Sequence, residues 1–222
     1  MRKSTLAGLA GLLALMPVVS VAADNQHTKT FHFEIASELI GDLATITGSS
    51  AKLTRAEDAL SIRINTTELE AGAYTVWWVI FNNVENCAAY PDGGCNPFVD
   101  LANPDVHGAV FFATGGVVKD NGIGHFRAHL ETNFEPEDSG NRDKVLISNG
   151  GLGLQNPQSA EVHIALRFHG PAALGNPDLL MKQIETSSGG CNNGIFFVPQ
   201  DPVAADRLFG CYDPQVAVFL SP

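Results

Sequence analysis

Residues 73–81, Ala-Tyr-Thr-Val-Trp-Trp-Val-Ile-Phe, constrain the fold more than any other part of the chain. The run is apolar at odd and even positions alike and rich in aromatic and β-branched side chains. A strand with one wet face alternates; a strand that does not alternate needs cover on both sides. These residues therefore predict a central strand, with both tryptophans in the core.

The rest of the chain reads in the same period. Leu60, Ile62 and Ile64 alternate with Ser61, Arg63 and Asn65, as a half-buried strand does. Glu70-Ala71-Gly72 breaks the pattern before residue 73, and the two strands together read as a hairpin. Residues 109–113 form a second fully apolar strand, and Gly115-Gly116 marks a bulge or bend after it. Asp120-Asn121-Gly122 is a turn signal, because Asn and Gly accept positive φ. Phe126, Ala128 and Leu130 then alternate with His125, Arg127, His129 and Glu131. Val162, Ile164, Leu166 and Phe168 alternate with Glu161, His163, Ala165, Arg167 and His169, and Gly170-Pro171 stops that strand. Residues 179–186 fit a short helix or a strand end, and residues 216–220 close the chain as a strand. Residues 87–104, 133–144 and 149–158 read as loops, the second acidic and solvated. About eight strands and no long amphipathic helix predict an all-β, antiparallel β-sandwich of Greek-key or immunoglobulin-like type, with little helix.

The N-terminus carries a different signal. Arg2 and Lys3 precede an apolar run over residues 6–16, and Val21-Ala22-Ala23 offers small residues before Asp24. The run is short of the ~20 residues that span a bilayer. It reads as a secretory signal over residues 1–23, cleaved after Ala23, leaving residues 24–222 as one β-sandwich domain in the periplasm or outside the cell. The formal charge is −11, and −13 without Arg2 and Lys3. That balance argues against nucleic acid and anionic lipid as partners. No second hydrophobic span follows the leader. Four cysteines in an exported chain imply two disulfides, with three pairings open. Cys87–Cys95 and Cys191–Cys211 are favoured, because each closes a Gly/Pro/Asn-rich loop. A cysteine metal site lacks any C-x-x-C spacing.

Chemistry is sparse. There is no G-x-S-x-G elbow, no H-E-x-x-H, no P-loop and no dinucleotide fingerprint. The candidates are histidines on the polar faces of predicted strands: His125 and His129 on one, His163 and His169 on another. Neutral imidazole is a ligand for zinc and copper. If the two strands are neighbours in one sheet, their stripes meet as one polar field. Against this, residues 125 and 129 stand ~13 Å apart along a strand, and Arg127 and Arg167 repel a cation. The plain alternative is a solvated face, with no cofactor at all.

Three stretches, residues 69–83, 122–130 and 160–171, with Gly189-Gly190-Cys191 beyond them, resemble a group of exported bacterial proteins without assigned activity. The resemblance implies an exported β-sandwich and transfers no catalytic residue. The strand ending in His169-Gly170-Pro171 is similar to the histidine-bearing strand of chordin-type (CHRD) domains. Strand histidines beside disulfides also resemble copper/zinc superoxide dismutase, although this chain has no His-x-His pair. The expectation is a structural or binding protein of unidentified partner; the alternative is a histidine-based zinc or copper protein or metalloenzyme.

Overall fold

The computed structural model describes residues 30–32, 44–132, 134, 145–148, 153–191 and 211–222. The leader, residues 135–144 of the acidic loop and residues 149–152 of the Gly-rich loop lie outside the described residues. The fold is an all-β antiparallel sandwich. Its larger sheet has seven strands: β1 (Thr30–His32), β2 (Ala44–Thr45), β5 (Gly72–Phe81), β6 (Gly108–Val118), β8 (Val145–Ser148), β9 (Glu161–Phe168) and β10 (Tyr212–Phe219), in the order β2-β1-β10-β9-β5-β6-β8. The smaller has three: β3 (Ser50–Arg55), β4 (Ala59–Thr66) and β7 (Gly124–Glu131), in the order β3-β4-β7. Seven of these strands have six residues or more, close to the expected eight. One α-helix, α1 (Pro177–Glu185), starts at an Asn176 cap whose Oδ1 accepts from Leu179 N at 3.2 Å. No helix among the described residues is long and apolar enough to cross a membrane.

Strand β5 is the central strand its sequence demands, and all ten of its residues are buried. Its even positions, Tyr74, Val76, Trp78 and Ile80, meet Leu60, Ile62, Ile64 and Phe126 of the small sheet in the main core. Its odd positions, Trp77, Val79 and Phe81, face the other way, into a second core with Cys87, Cys95, Leu101 and Val106. The large sheet is therefore the middle of three layers. The small sheet covers one face. The Cys87–Cys95 loop, the short 3-10 turns that flank it (Val84–Asn86, Asp100–Ala102, Pro104–Val106) and α1 cover the other.

Both disulfides pair as favoured, Cys87 with Cys95 and Cys191 with Cys211. Two formed disulfides are the mark of an oxidising environment. Of residues 179–186, 179–185 are helical, as part of α1, and Thr186 is its extended C-cap. The expected hairpin of β4 with β5 is not formed, since the chain passes from the small sheet to the large one between them. The Asp120-Asn121-Gly122 turn likewise joins β6 to β7 across the sandwich instead of closing a hairpin. The two crossings lie side by side, with Leu69 N donating to Gly122 O at 3.1 Å. Gly122 takes φ +67°, where a side chain is strained. The bulge predicted at Gly115-Gly116 falls two residues earlier, at Ala113, where the β5–β6 register slips. Gly115 answers a different demand: a Cβ there would stand 1.8 Å from Ile184 O, so only glycine lets α1 lie on β6.

Candidate functional site

The four histidines do not share a site. β7 and β9 belong to different sheets, so the two stripes never meet. His125 and His129 stand in solvent on the outer face of the small sheet. His163 and His169 are buried in the second core, on the far side of the large sheet. The expectation that Glu161, His163, Arg167 and His169 line a wet face is thereby corrected. Alternation in β9 separates two buried layers, one apolar and one polar.

The four polar side chains of β9 and its end in that second layer, Glu161, His163, Arg167 and His169, each have an internal partner, whereas the nearby Ser187 Oγ is buried without one among the described residues. Glu161 Oε1 accepts from His163 Nε2 at 2.7 Å and from Cys95 N at 2.8 Å, which ties the cystine loop to β9. The Phe81 ring lies 5.0 Å from the His163 ring, centroid to centroid. Arg167 Nη1 meets Asp213 Oδ1 at 3.3 Å, and its Nε donates to Ser187 O. Burial pushes the Asp213 carboxyl up, and Arg167 opposes the shift.

His169 sits in a relay of fixed direction. Its Nδ1 lies 2.8 Å from Gly189 O, a carbonyl that can only accept, so Nδ1 carries the proton. Its Nε2, 2.7 Å from Thr75 Oγ1, must then accept the threonine hydroxyl. Thr75 Oγ1 in turn accepts from Trp77 Nε1 at 2.7 Å. Burial pushes the imidazole down to about 4, so the ring is neutral near pH 7. Cys191 Sγ and Cys211 Sγ stand 3.4 and 3.7 Å from Nδ1. Both sulfurs belong to the disulfide, which removes the thiolates a metal would take. The same holds where Asp100 lies beside Cys87 and Cys95. Asp100 is committed to backbone, accepting from Ala88 N at 2.9 Å and Asn96 N at 2.6 Å.

The outer face of the small sheet is open to solvent. Leu53, Leu60, Ile62, Ile64 and Phe126 point inward. The alternate positions form three rows across the strands, fixed by register: Ser50–Asn65–His125, Lys52–Arg63–Arg127 and Thr54–Ser61–His129. All nine are exposed except Ser61, which is half-buried. The outer rows pair within themselves. His125 Nδ1 lies 2.9 Å from Asn65 Oδ1, and His129 Nδ1 lies 2.8 Å from Ser61 Oγ. His129 Nε2 also lies 3.7 Å from Glu131 Oε1. The middle row is three cations directly opposite one another, with no ion pair among the described residues. Like charges facing each other across strands are destabilising. A chain of formal charge −11 thus gathers three of its thirteen Lys and Arg in one line.

The sequence reading found His125, Arg127 and His129 but missed Lys52 and the row itself. The signal was present, since Ala51 and Leu53 alternate with Ser50, Lys52 and Thr54. Only the β3-β4-β7 register, however, sets the three charges abreast.

The fold and this face define an all-β sandwich with a cationic sheet surface on an acidic body. No protein-family model, curated protein or solved structure matches the chain.

Proposed function

We propose that this protein is exported, loses residues 1–23, and works in the periplasm or outside the cell by binding a partner rather than by turnover. The binding surface is the outer face of the small sheet. One observation carries the reading: Glu161, His163, Arg167 and His169 of the second core are spent on internal partners, whereas the Lys52–Arg63–Arg127 row is exposed and has no ion pair among the described residues. A row of facing like charges costs stability. It is readily understood if an anion relieves it. A four-histidine zinc or copper site has no comparable support, because its ligands lie in separate layers.

A binding panel tests the reading. Neutral and acidic polysaccharides, zwitterionic and anionic vesicles and single-stranded DNA are each presented to the wild type and to Arg63→Ser/Arg127→Ser. The reading expects at least one class to be held by the wild type and released by the variant. Retention of nothing, or of the same partners by both proteins, overturns it.

A further inference from the structure

We propose that the partner is an acidic polysaccharide, whose carboxylate groups the Lys52–Arg63–Arg127 row engages while the flanking rows bind its hydroxyls. The inference rests on the reading that the small sheet's outer face is the binding surface.

Shape argues for a polymer. Small ligands are held in concave sites that wrap most of their surface. The outer face of a three-stranded sheet offers an open area instead. Two strand spacings make the cation row about 10 Å long, and three rows cover about 13 Å along the strands. A chain lying across the strands meets all three charges and continues past β3 and β7, the strands at the two edges of the small sheet.

Chemistry selects the polymer. Two of the three cations are arginines, whose planar forks match carboxylates two hydrogen bonds at a time. The rows on either side carry a hydroxyl, amide and imidazole set: Ser50, Asn65 and His125 on one side, Thr54, Ser61 and His129 on the other. These are donors and acceptors for sugar hydroxyls, and a polymer that is all charge has no use for them. The three rows hold no Phe, Tyr or Trp on which a nucleic-acid base could stack. They also hold no large apolar side chain to enter a bilayer. The acidic remainder of the protein repels a polyanion elsewhere, which confines attachment to the row.

The test uses the mature protein and polygalacturonate as probe, with neutral dextran, anionic phospholipid vesicles and single-stranded DNA beside it. The wild type should bind polygalacturonate and not dextran. Arg63→Ser/Arg127→Ser should lose about tenfold or more in affinity, as charge-assisted contacts disappear. Lys182→Ser, on α1 in the opposite layer, should bind as the wild type does. Circular dichroism and a thermal melt of the double variant verify that it folds. Vesicles or DNA bound through the same arginines, more tightly than polygalacturonate, would overturn the choice of glycan and leave the binding face standing. Binding of none of the probes would overturn both.

Discussion

Thr75→Val exchanges a buried hydroxyl for a methyl group of nearly the same size. In the wild type that hydroxyl accepts from Trp77 Nε1 and donates to His169 Nε2, both at 2.7 Å. The substitution leaves two buried polar atoms without partners in a site closed by the large sheet and its covering layer. Each orphaned group costs about 1–3 kcal/mol. Their sum, reduced by about 0.8 kcal/mol for the methyl buried in exchange, is a loss of about 1–5 kcal/mol. A protein of this size loses about 2–4 °C of Tm per kcal/mol, so the melting temperature should fall by about 2–20 °C. Thr75→Ser keeps the hydroxyl and should fall by far less. Circular dichroism melts at pH 7 on the three proteins suffice. A Thr75→Val protein within about 1 °C of the wild type would show that the relay holds nothing together.

Acidification probes the same ring. The His169 pKa is lowered on folding from 6.5 to about 4, so the unfolded chain binds the proton first as pH falls. Stability owed to the neutral ring is complete above pH 6.5 and declines towards pH 4. Asp213, raised by burial, has the opposite slope. The contribution of His169 is therefore the difference between urea midpoints of wild type and His169→Gln at pH 7 and pH 5, and identical slopes would refute it. Loops of 8 and 20 residues closed by the disulfides imply about 2–3 kcal/mol each on the chain-entropy account. Verified reduction should thus lower Tm, and an unchanged Tm would count against a structural role. Gly115→Ala drives a methyl against Ile184 O and should lose about 1–3 kcal/mol, whereas Gly175→Ala meets nothing within 4 Å and should melt close to the wild type. Arg63→Thr removes two facing like-charge contacts and should gain up to about 1 kcal/mol; a clear loss of stability would mean that the row does not repel itself.

The sequence was legible wherever a strand has one interpretation of its pattern. Residues 73–81 specified a doubly covered strand because nothing polar enough interrupts them, and the structure supplies a cover on each face. The loops that the cysteines close also announced their pairings. The pattern misled at β9. Alternation records only that two faces differ, and the second face of β9 is polar yet buried, under a cystine loop and α1 that come from elsewhere in the chain. His163 and His169 were read as wet for that reason. Hairpins were misjudged because a Gly-rich turn looks the same whether the next strand returns to its neighbour or crosses the sandwich. The cation row was illegible for a related reason. Lys52, Arg63 and Arg127 are far apart in sequence, and only strand register makes them one feature.

The most direct test of the account is the salt dependence of polygalacturonate affinity, measured by titration calorimetry from low to physiological ionic strength. Three cations that displace counterions from a polyanion should give log K falling against log salt with a slope of about −2, by the relation for a single-stranded polyelectrolyte. Arg63→Ser/Arg127→Ser, left with Lys52 alone, should give a slope shallower than about −1. Equal slopes for the two proteins, or a slope near zero in the wild type, would contradict the claim that the row is where this protein meets its partner.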